Sequence, residues 1–136
     1  RRRYAAIAGD FVNAVKGRPY HWRAWVVAGA ETREAAKQAA MAPCEQEIGQ
    51  SRCQLAEANG DSVLLFYQAK EWDSASGFLS EKSPDRAVAE MNRRCRLADR
   101  DCQVISMISV QEPAQFAVEL GAGSEAKIDT PAGGGL

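Results

Sequence analysis

Thr32-Arg33-Glu34-Ala35-Ala36-Lys37-Gln38-Ala39-Ala40-Met41-Ala42-Pro43-Cys44 leads through a polar loop, Glu45 to Arg52, to Cys53. This stretch decides the fold because it has a counterpart. Fifty-one residues on, Ser83 leads through a second helical run to Cys95, and a shorter polar loop reaches Cys102. Each helix start stands 12 residues before its cysteine. Self-similarity at a period near fifty predicts two copies of one supersecondary unit.

In the first copy, Thr32 is a good N-cap and Glu34 falls in the first turn, where the helix dipole favours a carboxylate. Ala35, Ala36, Ala39 and Ala40 recur at helical spacing. Pro43 lacks an N–H and disfavours α geometry at Ala42, so the helix is predicted to end near Met41. In the second copy, Ser83 is the cap and Pro84 sits at N1, where its missing N–H costs nothing. Ala87, Val88, Met91 and Cys95 share one helical face.

The four cysteines sit as two pairs, each at the same place in its unit. Their spacing lacks the C-x2-C knuckles of a zinc ribbon, and the lone His21 is remote in sequence from both pairs. Local bridges Cys44–Cys53 and Cys95–Cys102 are the favoured reading, with four buried thiols as the alternative. Bridges of this kind belong to an oxidising compartment, either the periplasm or outside the cell.

Working outward, Tyr4 to Ala8 and His21 to Ala28 read as strands. Alternation places Ala24, Val26 and Ala28 on one face of the latter and Trp25 and Val27 on the other. Gly29 ends it. Gln54 to Ala56 starts a further strand, Asn59-Gly60 is a hairpin signal, and Val63 to Tyr67 is a central strand. Ala75 to Leu79 and Val104 to Val110 follow. Strict alternation in the last puts Val104, Ile108 and Val110 on one face and Ile105 and Met107 on the other. Gln115 to Leu120 adds one more strand. The Gly- and Pro-rich residues after Leu120 read as a tail.

The expectation is an α+β domain over residues 1–120, with two β-α-β-type units at about 4–68 and 69–110. Two helices would pack on one face of a mainly antiparallel sheet, and residues 121–136 would form the tail. A chain of 136 residues with 46% hydrophobic and 26% charged residues fits one ordinary globular domain. The net charge of −1 supplies no field to recruit nucleic acid. The apolar runs are too short to span a bilayer. Arg1-Arg2-Arg3 continues into a stretch interrupted by Asp10 and Asn13, so it does not read as an intact signal peptide. An export signal already removed is the expectation.

This pattern resembles a bacterial family of small exported proteins, domain-of-unknown-function family 4189. Ala6-Ile7-Ala8 matches the family's opening strand and Trp22 to Gly29 its aromatic strand. Thr32, Ala36, Ala40, Cys44 and Cys53 match the first helix and pair, and Ser83, Ala87, Cys95 and Cys102 the second. The usual Gly-aromatic-Gly alternation is thin here, and the tail falls outside the match. The resemblance implies export and attachment to larger proteins. It supplies no catalytic residues.

The chemistry-bearing residues point the same way. His21 has no nucleophile and carboxylate in a recognisable pattern around it. Trp22, Trp25 and Trp72 have two readings, as fillers of a sheet face or as a contact surface for protein or glycan. Arg93, Arg94, Arg96 and Arg100 are interleaved with Glu90, Asp99 and Asp101, which reads as a solvated, mutually paired face. No catalytic, cofactor or metal residues are assigned. The expected function is that of a non-enzymatic, disulfide-stabilised protein-binding module of an extracytoplasmic assembly, its partner another protein or a second copy. Binding of a small ligand or glycan, or inhibition of a secreted hydrolase, are the alternatives.

Overall fold

The structure, a computed structural model, describes residues 2–11, 21–70, 76–121 and 127–129. Its elements run β1 (Tyr4–Gly9), β2 (His21–Ala30), α1 (Arg33–Ile48), a 3-10 turn (Gln50–Arg52), β3 (Gln54–Asn59) and β4 (Val63–Ala69). Then come β5 (Ser76–Glu81), α2 (Pro84–Leu97), β6 (Cys102–Ser109), β7 (Ala114–Gly121) and β8 (Lys127–Asp129). The class is α+β, and every strand pairing is antiparallel.

The strands form two sheets rather than one, ordered β3-β1-β2-β7-β8 and β5-β4-β6. The two halves share a topology. In each, the first strand is central, the second and third flank it, and a helix joins those two across one face. The Asn59-Gly60 turn, expected to close a hairpin, instead carries the chain from the first sheet to the second. Gly60 adopts φ 73°, its N–H donates to the Arg3 carbonyl, and its carbonyl accepts from the Ser62 N–H. The chain thus turns a corner there, and β4, expected within the first unit at about 4–68, belongs to the second sheet.

Period-2 alternation explains the layering. Ala5 and Ile7 of β1, and Ala24, Val26 and Ala28 of β2, face one way; Leu64 and Phe66 of β4 meet them. The Phe66 ring lies 6.1 Å from Phe116 of β7 and 5.9 Å from Phe78 of β5, and Phe78 lies 5.2 Å from Phe11. The opposite faces take the helices. Ala6, Ala8, Trp25 and Val27 pack under Ala36, Ala40 and Cys44 of α1. Leu65, Tyr67 and Leu79 pack under Ala87, Met91 and Cys95 of α2. The result is four layers: helix, sheet, sheet, helix. Both helices cannot share one sheet face because β1 and β4 each bury two faces and each needs its own cover.

Both bridges are present, Cys44–Cys53 and Cys95–Cys102, with Cα separations of 6.1 and 6.2 Å. Closing loops with sequence separations of 9 and 7 residues removes about 2.5 kcal/mol of unfolded-chain entropy each in the simple model. Each staples the end of a helix to the start of the third strand of its unit. The caps are as expected: Thr32 Oγ1 accepts from the Ala35 N–H at 3.0 Å, and Ser83 Oγ from the Arg86 N–H at 3.2 Å.

Three local expectations change. Helix α1 does not stop near Met41 but runs through Pro43 to Ile48. Proline removes one hydrogen bond from the ladder, and burial of Cys44 on the stripe holds the next turn in place. In β6, strict alternation fails because the register against β4 shifts between Phe66 and Tyr67. Val104 pairs with Tyr67 and Met107 with Leu65, so both lie on the α2 side, while Ile105 and Ile108 turn to the inter-sheet core. Beyond Leu120, β8 forms inside the expected tail and pairs with β7.

Candidate functional site

The first sheet has two strands more than the second, yet each sheet carries one helix. Helix α1 lies over β1 and β2, so its layer stops short of β7 and β8. Along that margin a cavity of about 400 Å³ opens between the helix and the sheet. Its floor is the outer face of β2 and β7, with Arg23, Trp25 and Val27 beside Gln115 and Ala117. Its wall is α1, through Ala39, Ala42, Pro43 and Gln46.

Small side chains make the hollow. Ala39 and Ala42 keep the helix wall low, and Ala117 stands directly opposite Trp25 in the β2–β7 register. The same register sets Arg23 opposite Glu119. The Arg23 guanidinium donates from Nη1 to Glu119 Oε1 at 3.0 Å, and its Cζ stands 5.6 Å from the centre of the Trp25 ring. A stacked, ion-paired arginine at one end, two glutamine amides and an indole therefore share one concavity. Arg23 is the charged residue of the lining, and Glu119 beside it offsets that charge.

Of the residues singled out in the sequence, Trp25 belongs to this site; it is 8% exposed. Trp22 lies on β2 in register with Leu120, and His21 with Gly121. Trp72 lies outside the described residues. The four cysteines are all in disulfides. Among the described residues, no three His, Cys, Asp or Glu side chains stand together in a metal-binding group. No described helix is long and apolar enough to cross a membrane. Sequence reasoning missed Arg23, Gln46, Gln115 and Glu119. Arg23 was reachable, since it stands two residues before Trp25 on the same strand face. The β7 residues were not, because nothing local places β7 beside β2.

A second surface feature lies on the other unit. Leu97, Val104 and Met107 are large hydrophobic side chains left 77%, 40% and 37% exposed. Two of them lie on β6, an edge strand that pairs with β4 and has no second strand partner among the described residues. Beside it, the basic face of α2 is internally paired. Glu90 accepts from Arg93 Nε and Nη2 at 2.8 and 2.7 Å and from Arg94 Nε at 2.8 Å. Hydrogen bonds from Arg93 and then Arg94 hold the Glu90 carboxyl at about 2, down from 4.5.

Neither the curated proteins nor the solved structures contain a match to this chain. The family model described as Domain of unknown function (DUF4189) matches residues 4–109, which span both helices and both disulfides. The chain belongs to that family.

Proposed function

We propose that this chain is a non-enzymatic, exported protein-binding module, an accessory or structural subunit of a larger extracytoplasmic assembly. The observation that carries this reading is the exposure of Val104 and Met107 on β6. That strand, Cys102-Gln103-Val104-Ile105-Ser106-Met107-Ile108-Ser109, has no charged residue and no proline. Edge strands that stay free in solution are usually protected by such residues. The register shift at Ile105 interrupts the row of backbone groups. Val104 and Met107 themselves, rather than a continuous strand ladder, therefore make the contact. Two disulfides in a small domain support an oxidising compartment.

The test is a pair of proteins, the unmodified chain and a Val104→Lys, Met107→Lys variant. Each is isolated from its native source under gentle conditions and sized by light scattering. The expected result is a partner, or a second copy, held by the first and released by the second, with near-ultraviolet circular dichroism unchanged. A chain that is monomeric in both forms, or a complex indifferent to the two lysines, overturns the reading.

A further inference from the structure

We infer that the cavity between α1 and β7 is a binding site for one or two rings of an uncharged oligosaccharide. It lies on the opposite outer layer from β6, so its success or failure is independent of the protein-binding reading. The volume of about 400 Å³ sits at the lower end of the range for small-molecule sites. Its chemistry is two-sided. Trp25, Val27, Ala39 and Ala117 give an apolar surface for the C–H face of a ring. Gln46 and Gln115 each offer a planar amide with both donor and acceptor, which suits vicinal hydroxyls.

Charge selects against the other small-ligand classes. An anion at Arg23 meets the Glu119 carboxylate, whose oxygen lies 3.0 Å from the guanidinium, and a cation at Glu119 meets the guanidinium, so neither finds a net opposite charge. A wholly apolar ligand would cover the two glutamine amides without replacing their bonds to water. A neutral polyhydroxylated ring incurs neither cost. Among the described residues the second sheet has no strand beyond the reach of its helix, so the second unit offers no matching margin there.

The experiment titrates the intact, oxidised chain by calorimetry with the trimer of N-acetylglucosamine, with cellotriose, and with trigalacturonate as the anionic control. Side-chain amide and indole resonances are followed alongside. Saturable binding of at least one neutral trimer, with shifts at the Trp25 indole and at the Gln46 and Gln115 amides, is the expected result. Ala42→Phe fills the cavity from an exposed helix position and should weaken that binding about tenfold or more, the scale of one lost aromatic contact with its hydrogen bonds. The inference falls if neither neutral trimer binds, if Ala42→Phe leaves binding intact, or if trigalacturonate binds more tightly than both.

Discussion

At Gly29 a single missing Cβ joins the two sheets. The residue adopts φ 72°, and its N–H donates to the Val110 carbonyl at 2.9 Å. A Cβ built there would stand 2.4 Å from the Pro113 nitrogen. Both the left-handed conformation and the backbone contact exclude a side chain. Gly29→Ala should therefore destabilise the fold by more than ~2 kcal/mol, read as a lower urea midpoint. From sequence, Gly29 reads as the end of a strand; the partners that demand glycine lie more than eighty residues away, where no local pattern reaches. Glu90 is the opposite case, legible because its arginines are helical neighbours three and four residues on. Its pKa is lowered in the folded chain, so the stability it contributes is present above pH 4.5 and is lost as pH falls toward about 2. The amplitude is small, as for any exposed ion pair. Urea midpoints measured across that window should fall less for Glu90→Gln than for the unmodified chain.

Helix α1 shows at the scale of an element how a local rule is outweighed. Pro43 deprives the Ala39 carbonyl of its helical donor, a loss that would end an isolated helix. Here Cys44, fully buried and bridged to Cys53, fixes the following turn, and the Gly49 N–H closes it on the Glu45 carbonyl. The helix therefore carries its proline against tertiary support, and Pro43→Ala should raise stability by about 1 kcal/mol or more. Thermal unfolding of the oxidised chain checks this; a lowered midpoint would mean that the ring packs better than the missing bond costs. Strand β6 departs from strict alternation for a related reason. Alternation assumes a regular ladder, and the shift beside Ile105 changes which face Val104 takes. A bulge leaves no mark in a run of apolar residues. The caps at Thr32 and Ser83, by contrast, were readable because a cap is settled within three residues of chain.

Over the whole molecule, the units that the cysteine spacing reveals are not independent bodies. Their alternating strands leave each sheet with one apolar face that its own helix does not cover, and the two faces close on each other. A continuous apolar run such as Val63 to Tyr67 marks a strand covered on both faces without naming the covers, so the expectation of two helices on one sheet gives way to two sheets with one helix each. The groove at β7 was invisible for the same reason, since it exists through the mismatch between a five-stranded sheet and a single helix. This architecture carries a prediction. Phe66 is fully buried in the second sheet, yet its ring meets Phe116 of the first at 6.1 Å. Phe66→Ala should cost about 3–5 kcal/mol. With the disulfides intact, that cost should appear as one cooperative transition at a lower denaturant concentration. Hydrogen exchange should then accelerate together at the amides of Ile7 in β1 and Leu65 in β4, because opening either sheet exposes the face that covers the other. Loss of protection confined to β4, with β1 unchanged, would show instead that each helix and sheet holds its unit without the other.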